Sequence, residues 1–370
     1  MTTHLPSAET LESFHKDLDE IRDDIMAKVG QEDANYIRKI VRVQRFLELG
    51  GRAVMVAGFY HWVWWLVGAV MLGCAKILDN MEIGHNVMHG QYDWMNDPHL
   101  NSREFDWDAV ADGNSWRRTH NFEHHTYTNI IGKDRDFGYD TLRLSDDVKW
   151  KDHYRFQSIR LVVLMLMFEW AVAYHELFGE RIFIGKRHKE GKLPISHAQL
   201  IKDFFTKIRL AVFRDYIFFP AVVGLFLGWP MFFAILGGNF VANLIRNLWA
   251  NIIIFCGHFT EEVHTFNEEE CVNESRGQWY YRQILGSSNI EGSKVMHIMS
   301  GHLSRQIEHH LFPDMPSYRY MEAAERVRQV CAKHNIPYNT GTLWDQYKTV
   351  VARVIKYSRP PKKTGEVANA

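Results

Sequence analysis

The sequence predicts an all-α integral membrane protein with about four transmembrane helices in two hairpins, plus interfacial helices and a cytosolic helical cap. Three observations carry this expectation. Apolar runs occupy residues 53–78, 216–236 and 240–259, each long enough for the roughly 20 residues that cross a bilayer. The mean hydropathy is nonetheless only −0.27, so the spans must carry a large polar body. Basic segments border the apolar ones, at Arg38 to Arg45 and at Lys186 to Lys192, as expected of regions kept on the cytoplasmic side.

Residues 1–33 are polar and acidic and are expected to form an N-terminal tail with a helix starting near Ser7 or Thr10. Residues 35–50 alternate Ile37, Ile40, Val41, Phe46 and Leu47 with Arg38, Lys39, Arg42 and Arg45, the pattern of an amphipathic helix at a membrane surface. The run 53–78 contains His61 and Lys76 and no acidic residue, so it can cross once or form a hairpin with residues 46–51. Residues 90–155 are polar and aromatic, with turn signals at Asp97-Pro98 and Asp112-Gly113.

Residues 158–178 are apolar but carry Glu169, His175 and Glu176, and are expected to lie in the interface without crossing. The runs 216–236 and 240–259 are expected to form a hairpin turning at Gly237, Gly238 and Asn239. Asn243, Arg246 and Asn247 in its second arm then need partners inside the protein. Residues 317–334 have the pattern of an amphipathic helix, and a disordered tail is expected from Ser358 onward.

Composition narrows the function classes. A formal net charge of −1 gives no electrostatic footprint for nucleic acid. Cys74, Cys256, Cys271 and Cys331 show no paired spacing, which fits a reducing compartment. The N-terminus has no apolar core of the signal-peptide kind, so no cleaved export signal is expected.

Histidine carries the chemistry. The chain has 20, and eight of them fall in or beside three clusters: His85 and His89; His120, His124 and His125; His309 and His310; with His258 at the end of the last apolar run. Residues four apart share a helix face, so His85 can converge with His89 and His120 with His124. Adjacent histidines diverge by about 100° on a helix, so His124/His125 and His309/His310 can each serve two centres. Neutral imidazole suits iron, zinc, copper and nickel. Seven clustered histidines exceed what one four-coordinate metal uses, which favours two metals over a single zinc. Gln306 precedes the last pair by three and four residues and would point between those imidazoles. Glu82, Glu123, Glu308, Asp134 and Asp136 are the carboxylates best placed to bond free ring nitrogens, with simple surface charge as the alternative. If the clusters meet at one site, the chain crosses the membrane an even number of times between the second and the third.

At these residues the sequence resembles the membrane fatty acid desaturases. The resemblance covers about residues 36–320 and rests on three boxes in order: His85 and His89 four apart, His120 with His124-His125, and Gln306 with His309-His310. The segments GHNVMHGQYDWMND and HTYTNIIGKDRDFGYD look like the bacterial acyl-CoA desaturase branch. The resemblance implies a desaturase domain over 34–335, followed by a C-terminal helix and tail over 336–370. It further implies two non-haem iron ions, dioxygen as co-substrate and two electrons, giving a cis double bond in a long-chain acyl group and water. The box histidines would be the iron ligands, with His258 as the extra one. The third box begins with Gln306 in place of a histidine, as in the branch that includes front-end desaturases, so residue 306 either binds iron or positions a water, with nearby His302 as a compensating supporting group.

No His-Pro-Gly-Gly haem motif of a fused cytochrome occurs in the sequence, so the resemblance implies an external donor, a ferredoxin or a flavin reductase. The implied substrate is acyl-CoA, with carrier-protein and lipid head groups as alternatives; Arg117, Arg118, Lys186 and Arg187 are the basic residues that could meet CoA phosphates. The implied location is the bacterial inner membrane, with the site facing the cytoplasm. Membrane hydroxylases and ketolases share such boxes, and a metal-binding membrane protein without turnover is the alternative from another class.

Overall fold

The computed structural model describes residues 5–179 and 196–361. The basic loop at 186–192, with Lys186 and Arg187, and the end of the tail beyond residue 361 lie outside the described residues.

Helix α1, Ala8–Met26, starts where the sequence places it: Ser7 caps it by accepting from the Thr10 amide at 3.1 Å. Its 3.6-residue pattern turns Leu11, Phe14, Leu18, Ile21 and Ile25 to one side, and all five are buried in a core shared with later helices. Burial of each contributes roughly 1.5–3 kcal/mol. The segment expected to be a polar tail is therefore packed onto the body along this helix.

Helices α2, Gln31–Ala57, and α3, Trp62–Ile77, form an antiparallel hairpin through residues 58–61. The approach is close because glycines face each other: a Cβ on Gly51 would sit 2.8 Å from the Gly68 carbonyl oxygen, and one on Gly68 would sit 2.7 Å from that of Gly51. From Leu78 to His85 the helix continues with π winding, and Trp62–Met88 is 27 residues long, enough to cross a membrane. A second π turn spans Arg117–His124 and a third Phe213–Phe218. Such turns occur mostly at functional sites, and here the first two carry box histidines that the sequence pattern had placed on plain α-helix.

Helices α4, Gln157–Leu166, and α5, Phe168–Glu176, are bent by 97° at Met167. At 10 and 9 residues neither arm reaches the roughly 20 needed to cross. Next, α6, His197–Val212, runs through the third π turn into α7, Phe219–Leu227, and α8, Trp229–His258, returns antiparallel to it. The turn falls at Gly228, and the expected turn at Gly237, Gly238 and Asn239 is wrong. Gly228 has φ +91, open to glycine at no steric cost, and Pro230 starts the next helix. Gly237 and Gly238 stay helical, and at Gly238 the missing side chain lets α8 lie against the first hairpin, because a Cβ there would overlap the Met55 sulfur.

Among the described residues three helices are long and apolar enough to cross a membrane, and a fourth if the bent pair α4–α5 counts as one. Trp62, Trp64, Phe226, Trp229, Phe233 and Phe240 on these helices are exposed, which suits contact with lipid and not with water. Asn243, Arg246 and Asn247 on α8 each find a protein partner, as required of groups in such a helix. Asn243 donates to the Tyr216 hydroxyl at 2.7 Å, Asn247 to the Leu166 carbonyl at 3.0 Å and Arg246 to the Asp108 carbonyl at 2.8 Å, while Arg246 also pairs with Glu169.

Above the spans sits a polar cap. It contains α9, Arg276–Leu285, α10, Gln306–Leu311, α11, Tyr320–Lys333, and α12, Leu343–Ser358. A short parallel ladder joins β1, Asn289–Glu291, to β2, Thr340–Thr342. At three residues each, these strands are too short to show a period in the sequence.

Candidate metal centre

The three boxes and His258 meet at one place, each delivered by a different element. His85 ends the first π turn, and His120 and His124 lie in the second with His125 just after. His258 ends α8, and Gln306, His309 and His310 lie on α10. Asn86 fastens two of these segments together: its amide donates to the Gly301 carbonyl at 3.3 Å and its oxygen lies 3.1 Å from His85 Nδ1.

The histidines fall into two groups. His85, His89, His120 and His309 have ring nitrogens within 4.8 Å of one another, and so do His124, His258 and His310. His125 stands between the groups, its ring stacked on His310 at 4.4 Å and its Nε2 3.1 Å from that of His309. His309 and His310 go to different groups, as the roughly 100° between adjacent helical residues allows, and both also have a ring nitrogen within 4.8 Å of one of His125. Gln306 joins the second group, with its amide nitrogen 2.9 Å from His258 Nε2.

The donor set fits metal ions. His124 Nε2 and His310 Nε2 lie 3.4 and 3.2 Å from His258 Nε2. Metal–nitrogen bonds of about 2.0–2.1 Å at tetrahedral to right angles bring nitrogens to about 2.9–3.4 Å from each other. Three converging imidazole nitrogens also cannot satisfy one another with the hydrogens available, because a neutral ring has one donor and one acceptor. His89 Nε2, His120 Nε2 and Gln306 Oε1 are buried with no hydrogen-bond partner in the protein. A cation is the partner that such groups suit.

The outward ring nitrogens are held. His124 Nδ1 faces both Asp134 oxygens at 3.0 and 3.1 Å, and His120 Nδ1 faces Asp136 at 3.1 Å. His310 Nδ1 faces Gln283 at 3.0 Å and Thr128 at 3.2 Å; His309 Nδ1 faces the Tyr320 hydroxyl at 3.3 Å. Such partners fix tautomer and ring orientation. Burial, and then the neighbouring rings, hold His125, His309 and His310 well below the usual imidazole range, which keeps them in the neutral form that binds metals. For His124 burial pulls the same way, but the Asp134 charge and hydrogen bond outweigh it and the net shift is upward. For Asp136 burial pushes up, and the bonds to His120 and His175 overcome it and hold the carboxyl well below its ordinary value.

Asp134 and Asp136 thus each face a ring nitrogen of a box histidine. Glu82 and Glu308 are not beside a box histidine. Glu82 accepts from Tyr36 at 2.8 Å and Ser317 at 3.0 Å and pairs with His302 at 2.9 Å; Glu308 accepts from Asn289 and Tyr338, both at 2.9 Å. His309 follows Glu308 directly and points inward, so on a helix Glu308 points elsewhere. His302 braces Glu82 from an αL backbone at φ 55 and stays outside both histidine groups. Arg117 bonds Asn114 and the Phe105 carbonyl, and Arg118 bonds Ser115, so both brace local loops. Sequence reasoning missed Asn86, Thr128, Gln283 and Tyr320. Asn86 and Thr128 lie beside a box and Tyr320 a few residues beyond one, while Gln283 had no signal in the sequence.

Fold and site together define a class: helical membrane proteins whose converging histidines can hold metal ions. Comparison with known proteins narrows it. The family model described as fatty acid desaturase matches residues 60–342. The chain is 43% identical over 359 residues to the NADPH-dependent stearoyl-CoA 9-desaturase of Mycobacterium tuberculosis, covering 97% of this chain and 82% of that protein. It is 24% identical over 295 residues to the sn-1 linoleoyl-lipid 6-desaturase of Synechocystis, covering 78% of this chain and 77% of that protein. A shorter match, 34% over 99 residues, covers 27% of this chain and 21% of the human fatty acid desaturase 3. The chain belongs to the fatty acid desaturase family.

Proposed function

We propose that this protein is an acyl-CoA desaturase that introduces a cis double bond into a long-chain fatty acyl group at a di-iron centre. The observation that carries this is the pair of histidine groups opening onto a narrow, mostly apolar cavity, whose wall includes His85, His120 and His258 together with Trp107, Phe168 and Ile254. The 43% identity to a stearoyl-CoA desaturase supports acyl-CoA as the substrate class.

His85, His89, His120, His125 and His309 would hold one iron, and His124, His258 and His310 the other, with Gln306 at the second as a ligand or a water-positioning group. When bound, the irons supply the oxidation: two hydrogens leave neighbouring acyl carbons and, with two electrons and two protons from a donor, dioxygen becomes two waters. Asp134, Asp136, Gln283 and Tyr320 keep the rings aimed. The apolar walls exclude water and align the chain beside the histidines. Electrons come from an external ferredoxin or flavin reductase docking on the polar cap. The spans lie in the bacterial inner membrane, with the cap in the cytoplasm.

The test is iron content per chain together with acyl-CoA-dependent oxygen consumption and mass spectrometry of the product. Loss of two hydrogens is expected. A gain of oxygen would make the protein a hydroxylase, and iron binding without acyl-dependent oxygen use would remove the catalytic reading.

A further inference from the structure

An ion pair lines the cavity beside His258, at the lining residue of α8 farthest from that histidine. The cavity's lining residues on α8 are Arg246, Asn247, Ala250, Ile254 and His258, a spacing that makes one stripe along a single helix face. Twelve residues at 1.5 Å each put Arg246 about 18 Å from His258 along that axis. Helix α5 repeats the direction. Near its end Glu176 bonds Thr119, one residue before His120, and at its start Glu169 pairs with Arg246. The two paired side chains are only 2% and 9% exposed. The pair is also anchored from behind: Arg246 donates to the Asp108 carbonyl at 2.8 Å, and the Asp108 carboxylate binds Lys76 at 2.9 Å. Lys76 in turn pairs with Asp215 at 2.7 Å.

We propose that the Arg246–Glu169 ion pair is the floor of the acyl cavity and sets how many carbons can extend past the histidines. This rests on the desaturase reading above. Carbon–carbon bonds of about 1.52 Å meeting at about 111° advance about 1.25 Å per carbon, so the stripe has room for at most about 14 carbons. A terminal methyl resting on the pair disturbs nothing, because the charges already satisfy each other. One further methylene has to part them or displace Arg246 from Asp108. Burial of a methylene gains less than breaking a buried ion pair costs, so the limit on length is abrupt. A floor of flexible apolar side chains would yield gradually instead.

Two variants of the full-length protein test this with opposite expected shifts, assayed on saturated acyl-CoAs of increasing length. Ala250 lies one turn nearer the histidines than Arg246, and Ala250→Phe fills the cavity there. It should move the longest accepted chain about five carbons shorter, from about 6 Å of helix rise. Arg246→Ala combined with Glu169→Ala removes both charges together and should move it about two or more carbons longer. In both, the double bond stays at the same distance from the carboxyl end. Binding of saturated acyl-CoA to iron-free protein should show the same change in length preference. If the double variant does not fold, Ala250→Phe decides alone. An unchanged length limit in Ala250→Phe, or a bond position that moves with the variant, overturns the floor. A wild-type protein that desaturates no acyl-CoA overturns the catalytic reading itself, a result distinct from either.

Discussion

Asp134 accepts from His124 Nδ1 with both carboxylate oxygens, at 3.0 and 3.1 Å, and is itself locked by the amides of Asn129 at 2.8 Å and Asp136 at 2.9 Å. The carboxylate is thus a fixed stop against which the ring of a candidate ligand is set. Loss of such a partner typically costs about 10–100-fold in metal affinity. Asp134→Ala is expected to lose iron to a competing chelator by that factor, and Asp134→Asn, which keeps one acceptor, by less. Equal iron retention in Asp134→Ala and wild type would remove the orienting role.

His309→Ala and His124→Ala each remove one proposed ligand, from different histidine groups. Either is expected to abolish desaturation in a host lacking its own enzyme while the protein still partitions with the membrane fraction. The spans do not depend on these side chains. Full activity in either variant would dismantle the ligand assignment.

Lys76 lies in a helix long enough to cross the membrane, yet it is 2% exposed and bound to Asp108 and Asp215. Removing one partner of a buried pair costs about 3–5 kcal/mol when the other charge is left alone, and here Arg214 still pairs with both carboxylates and Arg52 with Asp215, so the loss should fall below that. Lys76→Met is expected to show that loss in denaturation of the detergent-solubilised protein. Arg38→Ala breaks the exposed contact to Asp97 at 3.5 Å and should change stability by no more than about 1 kcal/mol. Equal effects of the two variants would contradict the burial argument.

Gly301 has φ +67, and a Cβ there would meet the Met81 carbonyl oxygen at 2.5 Å. It is the point where the third-box segment presses against the first π turn. Gly301→Ala forces the two apart and should lower iron content as well as stability, by about 1–3 kcal/mol from backbone strain alone. Wild-type iron content in this variant would show that the boxes are not registered through this contact.

Glu291 in β1 is hydrogen-bonded by Arg305, Thr340 and Arg328, and these bonds outweigh partial burial to bring its carboxyl down to about 2. Between that value and its ordinary 4.5 the folded state binds fewer protons than the unfolded one, so stability rises with pH through this window. The contribution is complete above 4.5 and is lost as pH falls through about 2. Glu291→Gln should therefore melt below wild type at neutral pH, with the gap closing on acidification. The side chain is 41% exposed, so solvent screens the effect and a small difference is expected. A gap that is constant from neutral to strongly acidic pH would exclude the ionic origin.

The sequence by itself determined the helical membrane class, the three histidine clusters and the divergence of His309 from His310. These follow from local rules: an apolar run is long enough to span or it is not, and neighbours on a helix cannot face the same way. Tertiary structure alone decided the rest. The second hairpin turns at Gly228 and not at Gly237 because only packing against Met55 shows that Gly238 is a contact and not a break. Gln283 and Thr128 brace His310 across 27 and 182 residues of chain, a distance at which spacing carries no information. Glu82 and Glu308 looked like partners of the boxes and belong to other bonds, because the side of a helix a carboxylate faces is fixed by what the whole fold places there.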